Sequence, residues 1–278
     1  MSVQVQSLNI GGIRVQVFLP SKLSASVAVL FLLHGRHGSA KDVEQNAQEL
    51  IEQVNGHGKK GKSLCIVTLN HRNHGERTVI AESNNAWSEE PANWRHALDM
   101  YSIQLGTTRD VSHLIDFLPA YLFPQNEHTI DAWGIAGISL GGHSTWLGLA
   151  NDPRLELGIP IIGCPDYLKL IKQRAEGSGI AFAPPHIPDS FINFVKSVDP
   201  ASTKYTAQDS SNPFYGKKVL VLSGEVDKLV PWTASQEFVD ALEVGPGKKK
   251  VFVQKGVGHE ATKEMLKEAG LFIQEELC

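Results

Sequence analysis

Ile130-Asp131-Ala132-Trp133-Gly134-Ile135-Ala136-Gly137-Ile138-Ser139-Leu140-Gly141-Gly142-His143 passes from a short apolar run through Gly-x-Ser-x-Gly into a segment that reads as a buried helix to Ala150. Strand, glycine-flanked turn and helix, with a serine at the apex, are what a nucleophile elbow requires. The steric logic is specific. The apex residue is forced into a strained backbone conformation, and side chains two residues before or after it would collide with the neighbouring strand or helix. The motif predicts an exposed Ser139 hydroxyl at the C-terminal end of a strand, and the rest of the chain must supply what a serine lacks.

Residues 27–33 and 64–69 are continuous apolar runs, the pattern of strands buried on both faces. Residues 2–10 and 12–19 alternate apolar with polar around Gly11-Gly12 and predict an antiparallel hairpin at a sheet edge. A polar amphipathic helix is expected to about Val54, and a lysine- and glycine-rich turn over Gly56–Gly61. A long helix is expected from about Asn93 to Leu118, with a break near Gly106. A strand follows the elbow helix at Leu157–Gly163, and short helices are expected around Tyr167–Arg174 and Ser190–Val198. The last quarter alternates strand 218–223, helix 233–243, strand 249–254 and helix 261–277. This alternation predicts an α/β fold, a mostly parallel central sheet with helices on both faces. There is no internal repeat and no dividing linker, so 1–278 is expected to be a single domain. Irregular segments at about 76–92 and 165–215 are insertions, the second a small helical lid, over the strand ends where such sheets bind ligands.

Composition sets the class. Of 278 residues, 42% are hydrophobic and 20% charged, with a net charge of −4, which offers no electrostatic case for nucleic acid or an anionic membrane. No apolar run approaches a bilayer span, and Met1–Gln6 lacks the basic and apolar regions of a secretory signal. Cys65, Cys164 and Cys278 are widely spaced, with no metal or disulfide framework, and favour a reducing cytoplasm.

A serine hydroxyl needs a base within hydrogen-bond reach, an acid to orient that base, and donors for a developing oxyanion. Strand 219–222 is followed by Ser223-Gly224-Glu225-Val226-Asp227-Lys228-Leu229-Val230-Pro231, which places Asp227 as the acid, with Glu225 as its rival. Strand 251–254 leads to Val257-Gly258-His259-Glu260, and His259 is the one histidine after that acid. Glu260 reads as a helix N-terminal charge. The order serine, acid, histidine, each after a strand, is one of the known triad orders. Backbone N–H groups of Leu140 and of Arg36 are the candidate oxyanion donors, with His37 as the rival to Arg36. The Arg36 side chain could reach a substrate carboxylate or simply be a solvated arginine at the mouth, the second being preferred. His37, Trp87 and Trp94 are candidate substrate contacts, the tryptophans lining a pocket or stapling the insertion. His34-x-x-His37 and His71-x-x-His74 have metal-like spacing but no third ligand, and read as loop and packing histidines; no metal or cofactor is expected. His143 reads as a core histidine, and Cys164 as a small buried apolar residue.

Taken together, His34-Gly35-Arg36, His74-Gly75-Glu76-Arg77, Gly137-Ile138-Ser139-Leu140-Gly141-Gly142, Gly163-Cys164-Pro165-Asp166-Tyr167, Gly224-x-x-Asp227-Lys228-x-Val230-Pro231 and His259 resemble the α/β-hydrolase superfamily. The likeness is to its prolyl-oligopeptidase/dienelactone-hydrolase branch, near small bacterial-type carboxylesterases, and covers nearly the whole chain. The resemblance implies cofactor-independent hydrolysis of carboxylic esters through a serine acyl-enzyme. Arg36 departs from it, standing where such proteins often carry an apolar residue. The expected ligand is a small-molecule ester of short to medium acyl chain. Peptidase, amidase or thioesterase chemistry, and a non-catalytic binding module, are the alternatives.

Overall fold

A computed structural model describes residues 2–55 and 61–278, so most of the turn expected at Gly56–Gly61 lies outside the described residues. The chain opens with β1 (Val3–Ile10) and β2 (Ile13–Pro20), paired in register from Val3 opposite Pro20 to Ile10 opposite Ile13. Gly11 and Gly12, at φ +58° and +85°, form the tight turn between them, a conformation open to both because neither has a Cβ. Then follow β3 (Ser26–Leu33), α1 (Glu44–Asn55), β4 (Ser63–Leu69), α2 (His96–Leu122), β5 (Thr129–Ile138), α3 (Leu140–Asn151) and β6 (Leu155–Ile161). After α4 (Tyr167–Gly177) and α5 (Asp189–Val198) come β7 (Lys218–Gly224), α6 (Trp232–Ala241), β8 (Lys248–Gln254) and α7 (Lys263–Glu276). The eight strands lie in the order β1-β2-β4-β3-β5-β6-β7-β8; β1 and β2 are antiparallel to their neighbours and the rest are parallel.

The period-two geometry of β3 sorts its apolar run between two layers. Val29, Phe31 and Leu33 face Val111, Leu114, Trp146 and Phe238 of α2, α3 and α6. Ala28, Leu30 and Leu32 face Leu50 and Ile51 of α1 and Met265, Phe272 and Ile273 of α7. Helices therefore cover both faces, as alternation of the elements requires. Each fully buried Phe, Leu or Ile contributes ~1.5–3 kcal/mol, so the two layers hold the strand ends rigidly.

Among the boundaries that differ from expectation, three have a visible physical cause. Helix α2 runs unbroken through Gly106, four residues beyond the expected end. Gly106 is a packing requirement: a Cβ there would lie 2.6 Å from Cδ of Arg72, which crosses α2 to pair with Asp110 at 2.7 Å. Strand β6 starts and stops two residues early. It ends because Ile162 turns left-handed, at φ +46°, and because Gly163 then crosses the start of α3, where a Cβ would sit 2.4 Å from the Gly142 carbonyl carbon. Helix α7 begins at Lys263, capped by the Thr262 hydroxyl, which accepts the Met265 N–H.

The two insertions pack on each other. Trp87 from the first joins Tyr167, Ile171, Ile187 and Val195 from the second in a separate apolar cluster that includes Leu140, the residue after the elbow serine. Tyr101 of α2 holds this cluster together, its ring 4.7 Å from that of Tyr167 and 5.9 Å from that of Phe191. Among the described residues no helix is long and apolar enough to cross a membrane.

Candidate active site

The elbow has the strain its sequence implies. Ser139 sits at φ 55°, ψ −106°, a conformation that costs a non-glycine residue ~1–3 kcal/mol and needs its surroundings to impose it. Three backbone bonds do so. Ser139 N–H donates to Ile161 O (2.8 Å), Gly141 N–H to His34 O (3.1 Å), and His143 N–H to Ser139 O (3.0 Å). The flanking glycines are sterically obligatory. A Cβ on Gly137 would lie 2.4 Å from the Gly141 backbone, and one on Gly141 would lie 2.6 Å from Leu33 O.

His259 comes from the loop after β8 and Asp227 from the loop after β7. A Cβ on Gly224 would lie 2.3 Å from Gly258 O, so this glycine lets the two loops touch. Val226 N–H to Val257 O and Gly256 N–H to the Glu225 carboxylate then pin them. Glu225 is thus a loop brace, and Asp227 is the carboxylate at the histidine. The Ser139 Oγ to His259 Nε2 distance is 2.8 Å, and His259 Nδ1 to Asp227 Oδ2 is 2.7 Å. The other Asp227 oxygen accepts Leu229 N–H (2.8 Å) and Val230 N–H (2.9 Å). Burial pushes the Asp227 carboxyl up, but the bonds from His259 and the two N–H groups outweigh it and hold it below the usual range. An ionised acceptor on Nδ1 fixes the tautomer that leaves Nε2 free to take the serine proton.

Neither Leu140 N–H nor Arg36 N–H has a hydrogen-bond acceptor among the described residues. The Gly141 N–H bond to His34 O places the loop after β3 against the elbow, and a Cβ on Gly35 would be only 3.8 Å from Ser139 Cβ. His37 is turned the other way, at φ 63°, with Nε2 3.3 Å from the Glu89 carboxylate. Beneath this loop His34, His71 and His74 pack ring to ring, with centroids 4.5–5.9 Å apart. His34 Nε2 accepts His71 N–H, and His71 Nε2–H donates to His34 O, so the histidines clamp the backbone that carries Arg36. Burial drives all three down in pKa, His34 to about 4, and they are neutral at neutral pH. The sequence reading of these as loop and packing side chains missed this mutual contact; its trace is one His-x-x-His after each of two adjacent strands.

One candidate departs from expectation. The Arg36 side chain is not solvated. It makes a bidentate pair with Glu89 at 2.9 Å on both nitrogens and donates to Asn84 O, tying the loop after β3 to the first insertion. The reason is a carboxylate two residues beyond Trp87 that single-residue reading gave no cause to single out. Trp94 is 62% exposed, tilted against His186, and is not among the residues that bound the cleft described below. Trp87 is buried, edge-on to His96 at 5.2 Å, and both shapes a cleft and donates to Trp94 O, so it serves both roles weighed for it. His143 lies against Cys164, accepting its N–H at 2.9 Å, and burial lowers its pKa to about 3 while raising the Cys164 thiol to about 12.

The cleft, of about 690 Å³ including its mouth, is bounded by Arg36, Trp87, Leu170, Arg174, Lys228 and Leu229 among others. Two of its wall segments are chain neighbours of the site: Arg36 follows Gly35, which lies against Ser139, and Lys228-Leu229 follow Asp227, which Leu229 N–H caps. Arg174 and His96, which bound the cleft, and Glu89, which pairs with Arg36, were not selected by sequence reading.

No protein-family profile matches the chain, and no curated protein sequence matches it. Solved structures do. The chain is similar to TT1662 from Thermus thermophilus at TM-score 0.72 and 22% identity, over 99% of this chain and 98% of that one. It is similar to Est1E from Butyrivibrio proteoclasticus, solved with ferulic acid bound, at TM-score 0.60 and 18% identity over 97% and 96%. An acylaminoacyl peptidase shares TM-score 0.66 and 16% identity over all of this chain and 42% of its own. The protein has the α/β-hydrolase fold, an eight-stranded, mostly parallel sheet with helices on both faces.

Proposed function

We propose that the protein is a serine hydrolase that cleaves carboxylic esters of small to medium acyl chain. The observation that carries this reading is the continuous line from Ser139 Oγ through His259 to Asp227, at 2.8 and 2.7 Å, on a strained elbow. In this reading His259 Nε2 takes the Ser139 proton as Oγ attacks the ester carbonyl. Asp227 holds the tautomer and stabilises the imidazolium, and the N–H groups of Leu140 and Arg36 receive the oxyanion. The protonated His259 then gives its proton to the leaving alcohol, and water repeats the sequence to release the acid. The small-molecule ester is the partner proposed, with no cofactor, and the three free cysteines support a cytoplasmic setting.

Hydrolysis of p-nitrophenyl esters from acetate upward, with wild type beside Ser139→Ala, tests the reading. Turnover of short esters is expected, with a loss of ~10³-fold or more in the variant, because the serine and histidine act as a unit. Equal activity in the two proteins would sink the assignment of Ser139. Peptidase or amidase chemistry is the second reading, favoured by the likeness to an acylaminoacyl peptidase; a peptide p-nitroanilide panel separates the two.

A further inference from the structure

The cleft bordered by the loop that carries Asp227 holds a cation with no ion-pair partner among the described residues. Arg174, on α4, donates one Nη to Leu229 O at 3.1 Å, and its Nε is buried with no partner among the described residues. The carboxylate whose charge it feels is Asp227, already engaged by His259, Leu229 N–H and Val230 N–H. Burial lowers the guanidinium's pKa, yet an arginine stays charged at neutral pH. Arg174 is half-buried, with Nε shielded from water, and one hydrogen bond to a neutral carbonyl is a poor return even for that partial withdrawal of a charge. If Arg174 only fastened α4 to the loop after β7, an uncharged donor would do it at lower cost.

The surroundings carry the same sign. Among the described residues, no aspartate or glutamate lines the cleft. Arg36 is neutralised by Glu89, while Lys228 stands exposed at the rim with no ion-pair partner among the described residues. His96, lowered to about 4 chiefly by burial, adds no charge at neutral pH. The buried Trp87 and Leu170 form an apolar wall that keeps local screening weak. Position links this charge to the reacting atoms. The Leu229 residue that Arg174 grips by its carbonyl caps Asp227 with its N–H, and Asp227 holds His259.

We propose that Arg174 is the specificity-determining residue of this cleft, and that substrates of the Ser139 site are hemiesters carrying a free carboxylate a few carbons from the ester carbonyl. A carboxylate is planar and singly charged, and can take the hydrogen-bonding capacity that Leu229 O leaves unused on the guanidinium. It is a spectator in the reaction: Oγ bonds to the ester carbonyl carbon, the alcohol leaves with the proton carried by His259, and water later releases a dicarboxylic acid. The proposal rests on the serine-hydrolase reading above and goes beyond it in naming the substrate class.

The test compares mono-4-nitrophenyl glutarate with 4-nitrophenyl methyl glutarate, which differ by one methyl and one charge. Wild type is expected to prefer the anionic ester by ~10-fold or more in kcat/KM, with the preference shrinking as salt rises. Arg174→Gln is expected to erase that preference through KM, bringing the anionic-to-neutral ratio of kcat/KM to about 1, and Arg174→Lys to restore part of it. Absence of a preference in wild type, or an equal loss on both esters in Arg174→Gln, overturns the proposal; the wild-type comparison decides even if the variant misfolds. If neither ester is turned over, the hydrolase reading fails separately. Calorimetric titration with glutarate then decides: binding lost in Arg174→Gln sustains the anion site, and no binding to wild type refutes it.

Discussion

Glu89→Gln tests whether the first insertion controls the loop after β3. In the native structure the Glu89 carboxylate accepts both Arg36 nitrogens at 2.9 Å and Ala86 N–H at 2.7 Å. Burial pushes its pKa up, but the Arg36 bonds and Ala86 N–H more than reverse this, and it stands at about 2. A drop of that size from an ordinary 4.5 corresponds to ~3 kcal/mol at most. The Glu89 side chain is 35% exposed, so solvent screening reduces the usable part to ~1–1.5 kcal/mol. Because the folded pKa is depressed, the contribution is complete above about 4.5 and is lost as pH falls through about 2. Glutamine keeps an acceptor for Ala86 but turns an N–H₂ towards the guanidinium. Thermal unfolding at pH 7 should therefore show Tm lower by ~2–4 °C, a difference that narrows below pH 4.5. Arg36 follows Gly35, which lies against Ser139, so kcat/KM on p-nitrophenyl acetate should fall ~3–10-fold, a fraction of the ~100–1000-fold that losing an oxyanion donor costs. An unchanged Tm with unchanged kcat/KM would show the pair to be surface decoration, and a Tm difference that persists undiminished at pH 3.5 would refute the electrostatic account.

Two further outcomes follow from the packing. His34, His71, His74 and His143 all have folded pKa values below the ordinary 6.5, so the unfolded chain binds more protons between about 4 and 6.5 and stability must rise with pH across that window. Urea unfolding at pH 5 and pH 7 checks this, and a flat or falling profile contradicts it. Gly137→Ala drives a Cβ to 2.4 Å from the Gly141 backbone, where no flexible side chain can give way. It should cost ~3 kcal/mol or more and displace Ser139 Oγ from His259, read as a lower urea midpoint with loss of esterase activity; a stable, active Gly137→Ala would show the elbow to be less crowded than drawn.

What sequence could show follows from the range of each interaction. Period-two apolar runs and Gly-x-Ser-x-Gly are local signals, and β3, β4, β5 and the Ser139 turn stand where those signals put them. Asp227 and His259 were legible because each follows its own strand, and a parallel sheet delivers all strand C-termini to one edge. Gly106 misled for the opposite reason. Read locally it is a helix breaker, whereas its role is set by Arg72, more than thirty residues away in sequence. The Arg36–Glu89 pair and the Arg174–Leu229 contact join insertions to frame, with no fixed spacing to betray them, and the histidine clamp left only its two His-x-x-His traces. This division has a consequence for specificity. The atoms proposed to do chemistry sit on the regular frame, where the sheet fixes them. The charges that would choose a substrate sit on α4 and the first insertion, which the sheet does not constrain. Change in the insertions can therefore alter which ester fits while leaving the Ser139–His259–Asp227 line intact, and a residue such as Arg174, costly to bury and idle in the free protein, is where such a choice should be sought.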